Sequence, residues 1–207
     1  GYGNKLLNNT ISDANYTCTN GGAVNTAKIC VDGEIAYNKI NNTPVMGINF
    51  NFFVNSNVKY KAVARIHHNL ITNFMMRSDD SGGLDEIGDN GQGTRVDHNV
   101  LYNTRAREFS GTGSVFGFYF DFSGGGYIVD HNLVYNTQRT MIINNSPNLN
   151  IFNNTLLNGN PSDVSILNGN GGTGLTDTIR NNILSNTANI TCCSYGNLSQ
   201  AIFTNNA

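Results

Sequence analysis

IHHNLITN at 66–73, VDHNVLYN at 96–103 and VDHNLVYN at 129–136 align without a gap. Working outward from these three, the same register runs through LLNNTISD (6–13), IAYNKINN (35–42), IFNNTLLN (151–158) and IRNNILSN (179–186). The first position is aliphatic in every segment: Leu6, Ile35, Ile66, Val96, Val129, Ile151 and Ile179. The fourth is always asparagine: Asn9, Asn38, Asn69, Asn99, Asn132, Asn154 and Asn182. The sixth is aliphatic throughout, and the eighth is Asn in all but one segment, where it is Asp13. Successive fourth-position Asn residues are 29, 31, 30, 33, 22 and 28 residues apart.

A self-similar period of this size marks a solenoid, a propeller or an array. Each segment is short, aliphatic and bounded by Gly and Asn, which reads as strand. No 3.6-residue apolar stripe is long enough for the helix pairs of a helical solenoid. The expected fold is therefore all-β, a right-handed parallel β-helix of about seven coils, in one domain over residues 1–207 that stands alone or as a module of a longer chain. The 22-residue spacing is the smallest coil, and the longer ones carry their extra residues as loops. The composition agrees: 37 Asn and 23 Gly in 207 residues leave little helix-forming sequence, while 39% hydrophobic residues suffice for a core. Asn tolerates left-handed backbone, and its amide both donates and accepts, so a column of Asn can bond from coil to coil. This reading makes the Asn columns scaffold.

The repeat resembles the right-handed parallel β-helix superfamily of extracellular carbohydrate-active proteins, which includes pectate-lyase-like and glycosidase members, over residues 6–186. The segments Asp80–Gly83, Gly91–Asn99 and Gly117–Asp121 resemble stretches of secreted β-helix proteins that degrade polysaccharides. The resemblance implies an extracellular location and a polysaccharide partner. It is specific for fold and general for function, because one β-helix scaffold carries many activities.

The charge pattern narrows the search. Charged residues make up 13% of the chain and the net charge is −2, which disfavours nucleic acid as a partner. No apolar run is long enough for membrane insertion by a helix. Twelve of the 26 charged residues fall between Arg77 and Asp121. Aligning the segments before the two VDHN motifs pairs Asp85 with Tyr119 and sets Glu86 beside Phe120, one coil from Asp121. Asn51, Asn144 and Asn168 are expected in the column of Asp121. Paired carboxylates are the equipment of glycoside hydrolysis, one as acid and one as base or nucleophile. The candidates are Asp121, Asp80 and Glu86, with Tyr119 to stack on a sugar and Arg105 and Arg107 to bind it or to serve a lyase. The alternative is that these charges solvate two loops. The third position of the repeat (Asn8, Tyr37, His68, His98, His131, Asn153, Asn181) is expected to face outward as a stack of flat side chains rather than a metal site, and no cofactor is expected.

Cys18, Cys30, Cys192 and Cys193 show no metal spacing and read as disulfides of an oxidising compartment. Cys18 and Cys30 are the local pair; Cys192 and Cys193 form a vicinal bridge or bond outward, and free thiols are the alternative. Sequons for N-glycosylation lie at Asn8, Asn15, Asn41, Asn144, Asn153, Asn189 and Asn197. The first ladder Asn is residue 9 and only 21 residues follow Asn186, so no capping helix is expected at either end. Uncapped coils expose strand edges. The leading expectation is thus an extracellular, N-glycosylated structural protein whose copies stack head to tail as a filament or surface layer. The competing readings are a secreted polysaccharide-degrading enzyme and a carbohydrate-binding module.

Overall fold

A computed structural model describes residues 3–14, 21–26, 32–50, 64–88, 91–104, 115–122, 125–159, 162–167, 176–185, 191–192 and 202–207. Among them there is no helix, and every strand pair is parallel. Three sheets run the length of the molecule. The first has eight strands, from Lys5–Leu7 to Ile202–Thr204; the second has seven, from Thr10–Ser12 to Ile183–Leu184; the third has seven, from Gly22–Thr26 to Thr191–Cys192. Each coil contributes one strand to each sheet in turn, which makes the fold a parallel β-helix.

The strands of the first two sheets are mostly three residues long, so each sends one side chain inward. In the first sheet that residue is the first position of the repeat. Leu6 pairs with Ile35, and the register continues through Ile66, Val96, Val129, Ile151 and Ile179 to Phe203. Ile35 to Ile179 are all buried, while Leu6, in the first coil, is half-buried. The sixth position does the same in the second sheet, from Ile11 to Leu184. The eighth strand of the first sheet extends the seven segments: Asn206 lies three residues past Phe203, where the repeat has its ladder Asn.

The fourth-position asparagines form one continuous ladder. Each Nδ2 donates to Oδ1 of the Asn one coil on, at 2.9–3.0 Å, from Asn9 to Asn206. The backbone N–H of each donates to that same oxygen. From Asn38 on, each Nδ2 also reaches back to the first-position carbonyl of the preceding coil, as Asn99 does to Ile66 O at 2.9 Å. The ladder Asn themselves are not left-handed. The left-handed backbone lies one residue earlier, at Asn8, Tyr37, His68, His98, His131, Asn153, Asn181 and Asn205, with φ between 52° and 58°. The eighth position is the second left-handed corner, from Asp13 through Asn42, Asn73, Asn103 and Asn136 to Asn158, with φ of 50–60°. A left-handed Tyr or His carries a steric cost that Asn largely avoids. These rings stack on one another instead.

The third sheet departs from the short-strand rule. Ser81–Ile87 and Val115–Asp121 each span seven residues. Their inward columns hold Leu84, Phe118 and Met141, and then Glu86, Phe120 and Ile143. Gly83 sits where the strand crosses the core: a Cβ there would come within 2.9 Å of Leu101 and Phe74.

Candidate functional site

The outward column of the third sheet runs Asn25, Asn49, Asp85, Tyr119, Ile142 and Ser165. Beside it runs Ile87, Asp121, Asn144 and Leu167. Strand alternation thus puts Asp85, Tyr119 and Asp121 on one face, and Asp80 stands one residue before the strand that carries Asp85.

Tyr119 is 5% exposed. Its ring packs on Phe116, with centroids 4.8 Å apart, and belongs with Ile142 to a small apolar cluster. Its ring face is therefore not open to a sugar, contrary to the stacking role expected of it. What it offers is the hydroxyl, which makes a long 3.5 Å contact with Asp80 Oδ1. Burial, and then the charges of Asp121 and Asp80, raise this hydroxyl above the ordinary phenol range.

Asp121 is half-buried, and Asn144 Nδ2 donates to its Oδ1 at 2.6 Å. Burial raises the Asp121 carboxyl; the bond from Asn144 opposes the rise, and the charge of Asp80 adds to it. Asp80 is exposed, with a left-handed backbone at φ 58°. Asp85 is fully buried and held by Ser81 Oγ and by the Gly82 N–H at 3.1 Å, both to Oδ2. Its Oδ1 has no hydrogen-bond partner among the described residues. Burial pushes the Asp85 carboxyl up to about 7.

The expected trio is therefore only partly assembled. Asp121 and Asp80 both lie against Tyr119, but Glu86 does not join them. It shares the inward column of Phe120 and Ile143, is fully buried, and sits on the opposite side of the strand. Its place on that face goes to Asp85, which the sequence paired with Tyr119 but did not single out. Asn144 takes the column of Asp121 as expected; Leu167, not Asn168, follows it. Asn51, Asn168, Arg105 and Arg107 lie outside the described residues.

The charges of the segment also divide between two faces. Arg95 and Asp97 belong to the outer side of the first sheet. There Arg65 donates to both carboxylate oxygens of Asp97 at 2.8 and 2.6 Å, and Arg95 does the same to Asp130. Asp97 and Asp130 each also bond a neighbouring imidazole, at His98 Nδ1 (2.7 Å) and His131 Nδ1 (2.6 Å). Burial would raise Asp97, but the bonds from Arg65 and His98 outweigh it and hold the carboxyl at about 2. His68, His98 and His131 stack with centroids 4.9 and 5.1 Å apart and planes within 4°. Parallel rings point their nitrogens side by side rather than at one ion, and no cluster of three or more metal-capable side chains occurs among the described residues. The column is the outward stack expected of it.

Of the sequon asparagines, Asn8 and Asn153 are exposed, Asn41 and Asn144 are half-buried, and Asn15, Asn189 and Asn197 lie outside the described residues. Asn144 is at once a sequon and the partner of Asp121. Cys18, Cys30 and Cys193 lie outside the described residues, and Cys192 is described only as backbone of the last strand of the third sheet. No known protein family, curated protein or solved structure matches this chain.

Proposed function

We propose that this chain is a secreted carbohydrate-active β-helix protein that hydrolyses a polysaccharide at the face holding Asp80, Tyr119 and Asp121. The observation that carries the reading is the meeting of two carboxylates at one buried hydroxyl, with the proton affinity of Asp121 raised by burial. A general acid must hold its proton at working pH. Asn144 donates to Asp121 Oδ1, and burial of the carboxyl favours its protonated form. In the step proposed, Asp121 protonates the glycosidic oxygen as the bond to the anomeric carbon breaks. Asp80, on the solvent side, takes a proton from the attacking water. The proton count balances, and the products are two sugar hydroxyl ends. The extracellular setting is supported by the sequons and by four Cys without metal spacing. The test is release of reducing ends from plant, algal and microbial polysaccharides, with the Asp121→Asn variant alongside. Loss of cleavage in that variant supports the assignment; full activity in it, or no cleavage by folded wild type on any polymer, overturns it.

A second reading, end-to-end assembly, is favoured by the polarity of the ladder. Each Asn donates forward, so Asn206 has donors facing onward, and among the described residues no hydrogen bond reaches Asn9 Oδ1. A further coil, from the same chain or from a second copy, would continue the ladder with Asn206 donating and Asn9 accepting. Sedimentation of the protein over a wide concentration range tests it: growth into elongated particles supports stacking, and a constant monomer removes it.

A further inference from the structure

Away from the acid face, the second left-handed corner opens into a groove of about 490 Å³ lined by Asn42, Asn73, Met76, Asn103, Thr104 and Asn136. This volume is within the range of small-molecule sites. Four of the six residues occupy the eighth position in successive coils and share the left-handed backbone. Their amides are far less occupied than those of the ladder. Asn136 Nδ2 donates to Asn103 Oδ1 at 2.6 Å, and Asn73 Nδ2 donates to Asn41 Oδ1 at 2.9 Å. No hydrogen bond of the Asn42 side chain, or of the Asn103 Nδ2 group, occurs among the described residues. Thr104 Oγ1, in the wall, is buried with no hydrogen-bond partner among the described residues. Thr137, next to Asn136, repeats the feature one coil on.

Charge and shape decide which ligand fits. Among the described residues no charged side chain lines the groove. What it offers is amide donors and acceptors, a hydroxyl and one thioether. Directly before Asn103 and Asn136 stand Tyr102 and Tyr135, stacked with centroids 4.8 Å apart and planes 13° apart, both half-exposed on the outer side of the second sheet. Uncharged hydrogen-bonding groups with apolar and aromatic surface beside them suit a neutral, hydroxyl-rich ring. We infer that this corner is a binding site for a neutral oligosaccharide, in which ring hydroxyls satisfy the Asn42 and Asn103 amides. The site is distinct from the acid face and does not depend on that face being catalytic.

The experiment is titration of the full chain, by calorimetry and by amide-resolved NMR, with cellohexaose, xylohexaose, mannohexaose and laminarihexaose, and with hexagalacturonate as the charged comparator. The variants are Asn42→Gly and Asn103→Gly, which remove the amides and keep the left-handed backbone accessible. At least one neutral hexaose is expected to bind and to shift the resonances of Asn42, Asn103 and Thr104. Either substitution is expected to weaken binding about tenfold with the thermal midpoint kept. Binding of hexagalacturonate alone, binding indifferent to both variants, or no binding of any neutral hexaose overturns the inference.

Discussion

The corner built on Asn99 and the face built on Asp121 are both columns of polar side chains rising from coil to coil. At the corner every amide valence is used: Asn99 accepts from the N–H and Nδ2 of Asn69 and donates to Ile66 O and Asn132 Oδ1, all at 2.9–3.1 Å. At the face, Asp85 keeps one oxygen without a partner among the described residues, and Asp121 is raised by burial. The corner has one solution repeated in every coil, because each rung must satisfy the same backbone groups. The face changes residue type at each coil and leaves charge uncompensated. Repetition with full satisfaction is what a scaffold needs; local exception with incomplete satisfaction is where chemistry becomes possible.

The largest expected effect breaks the face. Asp121→Asn removes the acid and should lower the rate of polysaccharide cleavage at least about a hundredfold. The pH profile sharpens the assignment. Because burial raises Asp121, its proton persists above the ordinary aspartate range and is lost as pH rises through that raised value. The alkaline limb of the rate profile should therefore follow Asp121, and Asn144→Ala, which removes a bond to the ionised form, should move that limb to higher pH. An unmoved limb would assign the limb to another group.

Next in size is Asp85. Its folded-state value of about 7 lies above the ordinary 3.8, so well below pH 3.8 both states are protonated and nothing is lost. As pH rises toward 7 the unfolded chain ionises first and stability falls; above 7 the loss is complete. Asp85→Asn should recover up to about 4 kcal/mol at pH 8 and far less at pH 4, read from urea midpoints at the two pH values. Equal effects at both would show that Asp85 is not a buried neutral acid.

The ladder comes third. Asn99→Ala leaves the buried N–H of Asn69 and the carbonyl of Ile66 without their partners and should cost about 3 kcal/mol at unchanged denaturant slope. This is also the part that was legible in the sequence. Seven segments with Asn at a fixed place announce a column, and aliphatic first and sixth positions announce two inward edges. Residue type alone does not say which column takes the left-handed backbone: the eighth-position Asn do and the ladder Asn do not, while Tyr37, His68, His98 and His131 occupy the other left-handed corner. Glu86 was misjudged for a related reason. Alternation carried through from its neighbour Phe120 sends it into the core, yet a carboxylate two residues from a Leu reads as a surface group. The eighth-position groove stayed hidden because its residues are the same Asn that build the scaffold elsewhere. Only their unused hydrogen-bond valences distinguish them, and valence is not written in sequence.

The smallest effect is expected at the first rung. Asn9 has one ladder neighbour, donates through its N–H and Nδ2 to Asn38 Oδ1 at 3.0 Å, and is only half-buried. In Asn9→Ala the backbone N–H still reaches Asn38 Oδ1, and water can replace the lost amide, so the cost should stay below about 1 kcal/mol in a dilute monomer. Assembly would change this number without changing the fold. If Asn206 of one copy donates to Asn9 of the next, Asn9 becomes an interior rung in the stacked state, with the four-bond environment of Asn99. The destabilisation by Asn9→Ala would then grow with protein concentration, while that of Asn99→Ala would stay constant, because only the first rung gains a partner on association. Thermal midpoints of both variants over a hundredfold concentration range make the comparison. Parallel behaviour of the two variants rules out stacking through this rung, and divergence at Asn9 alone establishes it.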